Sequence, residues 1–260
     1  MILGPTSVYK CPKCGNLFKN SSVKSSFSMG GFLYSDGQLI ESMAPKSLTL
    51  TKCQKCNTYL WLNKLEDINT KKWQHPIKPE WRKADFAKFL TIEENFDALK
   101  QGIAENKDEE KYIRKQIWWE YNDRKSENQK MFIDENDELM WRENCIALSK
   151  LLNFNDTNQR IMIAEINRNL GNFDKCIDII NTIDDTEINW VKEKYITECK
   201  KKNKWVILLN NPMESFPTRT NSPEVESPEP DTDDILSKDD THTQEKPIKL
   251  PKLDIGRLMD

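Results

Sequence analysis

Histidine is almost missing from this chain: His75 and His242 are the two copies among 260 residues. Glycine is scarce too, at 8 residues, and arginine does not occur before Arg82. Each shortage excludes something. Acid–base and nucleophilic catalysis need several such groups converging in a shaped pocket. His75 stands beside Pro76 and His242 sits in an acidic stretch, so no catalytic constellation is visible. So few glycines leave little material for a glycine-rich phosphate loop. No apolar run approaches the roughly 18–20 residues of a membrane span. Met1-Ile2-Leu3-Gly4-Pro5 has neither the basic lead nor the apolar core of a signal peptide. The expectation is a cytoplasmic protein without membrane insertion. In that reducing compartment, paired cysteines hold metal more often than they form disulfides.

What is present is unevenly spread. Charged residues make up 31% and hydrophobic ones 37%, a low apolar share. Residues 1–90 carry fourteen Lys/Arg against six Asp/Glu, residues 91–210 nineteen against twenty-four, and residues 211–260 six against twelve. The expected architecture is α+β. A small β module at 1–65 leads through a connector at 66–79, punctuated by Pro76 and Pro79, to an all-α domain of antiparallel helix pairs at 80–210. Residues 211–260, acidic and rich in Pro and Ser, cannot bury enough apolar surface to offset their ordering entropy and are expected to be disordered.

In the head, short runs between turn signals mark strands at 8–10, 32–34, 38–41, 47–51 and 58–62, with Asp36-Gly37 as a hairpin turn. Lys10-Cys11-Pro12-Lys13-Cys14-Gly15 and Lys52-Cys53-Gln54-Lys55-Cys56-Asn57 are two matching Cys-X-X-Cys loops. Two intervening residues let both sulfurs turn inward, and Gly15 and Asn57 tolerate the left-handed backbone that closes such a loop. Face to face, the loops make a tetrahedral site in which Cys11, Cys14, Cys53 and Cys56 hold one structural zinc ion. The arrangement resembles the zinc-ribbon (rubredoxin-like) modules. The spacer of 38 residues between Cys14 and Cys53 is longer than the roughly 15–20 of compact sites, and the Asp36-Gly37 hairpin accounts for the extra length. A redox or iron role for the cysteine pairs stays open beside zinc. Four thiolates leave no position for water or substrate, which favours a structural metal.

From Glu80 onward apolar residues fall at helical spacing. Thr91-Ile92-Glu93-Glu94 reads as a capping box. One-sided stripes follow, such as Ile113/Ile117/Tyr121, Trp141/Cys145/Leu148 and Val191/Tyr195/Cys199. Cys145, Cys176 and Cys199 read as small buried hydrophobes. Ala164, Gly171, Phe173, Cys176 and Ile180 fall at a spacing that resembles one tetratricopeptide repeat, which implies two closely packed antiparallel helices over 157–183. A plain helical bundle is the alternative. Trp118 and Trp119 point about 100° apart, so one enters the core while the other covers a neighbouring element or a partner. Trp73, His75, Trp81, Phe86 and Phe89 are expected to glue the head to the helices. The basic, apolar segment 246–258 is expected to be a binding motif.

The functional expectation is a non-catalytic zinc-binding adaptor with a protein partner. The runner-up is nucleic-acid binding through the head, where Lys10, Lys13, Lys19, Lys24, Lys46, Lys52 and Lys55 are interspersed with Phe18, Phe27, Phe32 and Tyr34. Against it stand the missing arginines and a pI near 5.7.

Overall fold

The computed structural model describes residues 2–25, 31–41, 47–69, 78–127 and 129–210. Trp73, His75, His242, the 211–260 tail and the 246–258 motif lie outside the described residues. The chain divides into two units, Met1–Pro212 and Met213–Asp260, and every described residue belongs to the first.

The fold is α+β: a strand-rich head followed by helices. Strands β1 (Ile2–Lys10) and β2 (Leu17–Ser25) pair antiparallel around the first Cys loop, with Lys10 opposite Leu17 and Val8 opposite Lys19. The ladder is irregular between Leu3 and Thr6, where Pro5 has no N–H to donate. Strands β3 (Gly31–Tyr34) and β4 (Leu39–Glu41) form a second hairpin through Gly37, whose φ is +78°. Strands β5 (Leu50–Lys52) and β6 (Tyr59–Trp61) embrace the second Cys loop.

The segment expected to be purely helical opens and closes on strands. After one turn, α1 (Pro79–Arg82), the chain enters β7 (Asp85–Phe86), parallel to β2. The backbone here finds partners on the head: Ala87 N–H donates to Lys19 O at 2.7 Å, and Thr51 Oγ1 donates to Lys88 O at 2.8 Å. That pairing competes with helix continuation and wins. At the other end β8 (Leu208–Asn210) lies antiparallel to β3.

Between them run α2 (Ile92–Lys100), α3 (Lys107–Ser126), α4 (Glu135–Leu151), α5 (Thr157–Asn169), α6 (Phe173–Asn181) and α7 (Asn189–Lys200), each packed on the next. The capping box forms: Glu94 N–H donates to Thr91 Oγ1 at 3.2 Å, and Thr91 N–H donates to Glu94 Oε2 at 3.1 Å. Gly171, at φ +83°, turns the chain between α5 and α6. Cys145, Cys176 and Cys199 are all buried.

Two contacts weld head to helices. In the first, Tyr59 and Trp61 enter the main core beside Ile113, Ile117 and Leu90. Tyr59 OH donates to Asp97 Oδ2 at 2.7 Å and Trp61 Nε1 donates to Ile103 O at 3.1 Å. Phe86 and Phe89, expected to supply this glue, are instead 52% and 46% exposed. Tyr59 and Trp61 can fill the joint because each offers both an apolar body and a donor for the polar groups it buries.

The second weld is the β3–β4 turn, whose Ser35 and Asp36 are each 1% exposed. Ser35 Oγ donates to Glu165 Oε1 at 2.7 Å, and Tyr195 OH donates to Ser35 O. Asn122 Nδ2 donates to Asp36 Oδ2 at 2.8 Å and Trp119 Nε1 donates to Asp36 O at 3.0 Å. Trp118, fully buried, donates through Nε1 to Asn169 Oδ1 at 2.8 Å. The long spacer between the Cys loops thus carries a polar plug that fills a slot among α3, α5 and α7.

Asp36 has a pH consequence. Burial, above all, pushes its pKa up to about 7 against the hydrogen bonds from Gln38 and Asn122, and Glu165 and Asp123 add to the rise. The folded protein holds a proton that the unfolded chain releases near pH 4. This contribution to stability is full below about pH 4 and is lost as pH rises toward 7, at up to about 1.4 kcal/mol per pH unit. Urea denaturation should show wild type losing stability relative to Asp36→Asn across that window, with the difference level above it.

Candidate metal centre

The two Cys loops have the same backbone. Cys11 N–H donates to Asn16 O at 2.8 Å and Gly15 N–H to Cys11 O at 2.9 Å; Cys53 N–H donates to Thr58 O at 2.8 Å and Asn57 N–H to Cys53 O at 2.8 Å. Each loop closes through a left-handed residue, Gly15 at φ +72° and Asn57 at φ +58°. Both sit on hairpins, β1–β2 and β5–β6, which hold the loops against each other. Cys11, Cys53, Phe18, Leu48, Leu60 and Leu62 form a small apolar core beneath them.

All four sulfurs lie within 4.8 Å of one another. Cys11 Sγ and Cys56 Sγ are 3.7 Å apart, and Cys14 Sγ and Cys53 Sγ 3.6 Å. A tetrahedron with metal–sulfur bonds of about 2.3 Å has edges of roughly 3.8 Å, so these separations suit one ion. They are far beyond the ~2 Å of a disulfide bond, and all seven cysteines are free thiols. Among the described residues, this is the one group of three or more His, Cys, Asp or Glu side chains able to share an ion. The donors fit a thiophilic metal.

The thiols are electrically unequal without metal. The Thr58 hydroxyl, then its amide, then Cys14 and Cys53 lower the Cys56 pKa to about 6 against partial burial. Cys14 is lowered by the Asn16 amide, but burial and the three other thiols outweigh this and push it up to about 12. A divalent ion would draw all four into the thiolate form.

No protein-family model, curated protein or solved structure matches this chain. Its residues alone carry the functional argument.

The basic–aromatic set expected on the head is redistributed. Lys10, Lys13 and Lys55 are exposed. Lys19 is buried and donates to Arg82 O at 2.9 Å, Lys52 pairs with Glu94 at 3.2 Å, and Phe18 is buried against Tyr9. Phe32 and Tyr34 are half-buried. The side chains of Lys24, Phe27 and Lys46 lie outside the described residues. Among the described residues that follow the head, Phe86 and Phe89 are exposed aromatics. The sequence expectation places both in the joint between head and helices, and their exposure corrects it.

The loop geometry makes a direct expectation. A Cβ at Gly15 would meet only Lys10 Cε, at an ordinary 3.5 Å, so Gly15→Ala costs mainly left-handed strain of about 1–2 kcal/mol. Competition with a chelating dye should show metal binding weakened by about 5–30-fold. Asn57→Gly, at the equivalent place, should bind no worse than wild type.

Proposed function

We propose that this protein is a non-catalytic adaptor of the cytoplasm. A zinc-ribbon head stabilised by one zinc ion on Cys11, Cys14, Cys53 and Cys56 anchors a helical surface that docks a partner protein. The observation that carries this reading is apolar area left uncovered on α4 and the α4–α5 link. Leu139 is 53% exposed, Ile146 44% and Phe154 45%. Two adjoining grooves, of about 360 and 510 Å³, share Ile146 and Lys150, and the larger continues over Ile163, Ile166 and Ile179 of α5 and α6. Clustered exposed apolar residues around a groove favour protein contact.

Tetratricopeptide-like pairing of α5 and α6 supports the same reading. Ala164 and Cys176 are fully buried where the helices pack, and Gly171 breaks the chain between them. Such hairpins present grooves suited to an amphipathic segment of a partner. Zinc is the metal of choice because a closed four-thiolate site stabilises structure and leaves no vacancy for chemistry. A cytoplasmic location agrees with seven free thiols. No helix among the described residues is long and apolar enough to cross a membrane.

The test is quantitative affinity purification of the full chain against an Ile146→Glu/Phe154→Glu variant. At least one protein should be depleted tenfold or more with the variant, and its purified form should bind wild type with little salt dependence. Equal recovery of every co-purifying protein would contradict the reading.

A further inference from the structure

The short strand β7 that follows the metal module, and the stretch just after it, carry two half-exposed aromatic rings. Phe86 and Phe89 are 52% and 46% exposed, yet the backbone that carries them is fixed. β7 pairs with β2, Ala87 N–H donates to Lys19 O at 2.7 Å, Gln54 Nε2 donates to Phe86 O at 2.9 Å, and Thr51 Oγ1 donates to Lys88 O at 2.8 Å. Four ties over residues 85–88 fix the backbone that carries Phe86, and Phe89 follows one residue later, at the edge of a small cleft it shares with Leu90, Tyr112 and Glu120.

Lysines are frequent along this segment. The Lys19 ammonium lies 4.6 Å from the centre of the Phe86 ring, and Lys78 lies 4.7 Å from that of half-buried Trp81. Lys83 and Lys88 are exposed on the same segment, and Lys10, Lys13 and Lys55 are exposed on or beside the Cys loops. The second loop is tied directly to Phe86 through Gln54. Asp85 is an exposed acid within this set. Four thiolates around a divalent ion carry a net charge near −2, which the three loop lysines can offset. Lys78, Lys83 and Lys88 are left over as surplus positive charge on the segment that carries the rings.

We propose that this face binds single-stranded nucleic acid, with Phe86 and Phe89 stacking on bases while Lys78, Lys83 and Lys88 meet the phosphates. Rings stack only on bases that are already unstacked, which selects single strands over duplex. The site lies on β7 and its flanks, apart from the α4–α6 groove, so it stands or falls independently of the adaptor reading.

The experiment is fluorescence anisotropy of a labelled mixed-sequence twelve-nucleotide strand, as RNA and as DNA, with the full-length metal-loaded protein. Binding should weaken roughly twentyfold between 50 and 200 mM salt, as about three phosphate contacts on a single strand imply. Phe86→Ala/Phe89→Ala should bind at least tenfold more weakly at fixed salt, with metal content and thermal midpoint unchanged because the rings are exposed. Lys83→Glu/Lys88→Glu should also lose affinity and flatten the salt dependence. Should the lysine variant fold poorly, the phenylalanine variant decides alone. Three results would overturn the proposal: neither strand binds at 50 mM salt; the phenylalanine variant binds as well as wild type; or phosphatidylserine vesicles or polyglutamate are captured more tightly than the oligonucleotides.

Discussion

Cys53→Ser is expected to strip the protein of its metal and to loosen the helical core together with the head. Cys53 is 2% exposed and sits in the small apolar core under the Cys loops. Its loop joins β5 to β6, and β6 delivers Tyr59 and Trp61 into the main core. Structural zinc contributes of order 10–16 kcal/mol in small modules, whereas a whole domain is stable by only about 5–15 kcal/mol. Loss of one ligand therefore exceeds what the head can spare. Metal analysis should show bound zinc falling from one per chain toward zero, and the unfolding transition of the helices should move down by about 5 °C or more. Cys145→Ala is the control: Cys145 is fully buried in the main core and is not part of the sulfur cluster, so it should cost stability and leave the metal in place. An unchanged helical transition in a metal-free Cys53→Ser protein would separate head from helices and contradict the weld.

The second large effect is expected at Glu165. Its carboxylate and the Arg168 guanidinium are both 0% exposed and meet at 2.6 Å. Arg168 also donates to Glu165 Oε2 at 2.8 Å, to Asn203 O at 2.6 Å and to Ser35 Oγ at 3.2 Å. Glu165→Ala leaves a buried guanidinium without its counter-charge and removes the acceptor of Ser35. A loss of about 3–5 kcal/mol is expected, read as a lower urea midpoint. Replacing both partners with apolar residues of similar size, Glu165→Leu/Arg168→Met, should recover most of it, because desolvation of an ion pair consumes much of its attraction. Strong non-additivity between the two sites is the signature to look for. Equal losses in single and double variants would mean that the plug, rather than the ion pair, holds the slot.

Much of the metal centre could be read directly from the chain. Two Cys-X-X-Cys loops, each followed by a residue that accepts a left-handed backbone, specify both the ligands and the turn, and Gly15 and Asn57 adopt that backbone. The capping box at Thr91 and the stripes through Ile117, Tyr121 and Tyr195 were equally plain, because a 3.6-residue period needs only local sequence. The polar plug was not. Every residue of α5 from Met162 to Asn169 is buried, yet Glu165, Asn167, Arg168 and Asn169 look like a solvated face. Glu165, Arg168 and Asn169 find partners in Ser35, Asn203 and Lys204, over 30 positions away in sequence. β7 and β8 were hidden for a related reason. β7 is two residues long, too short for any period, and the partners of both strands, β2 and β3, are remote in sequence.

Zinc-edge X-ray absorption on the purified full-length protein asks most directly whether two loops share one ion. The account predicts one zinc per chain with four sulfur neighbours at about 2.3 Å. Nitrogen or oxygen in that coordination shell, or freshly reduced protein that holds no metal, would contradict it.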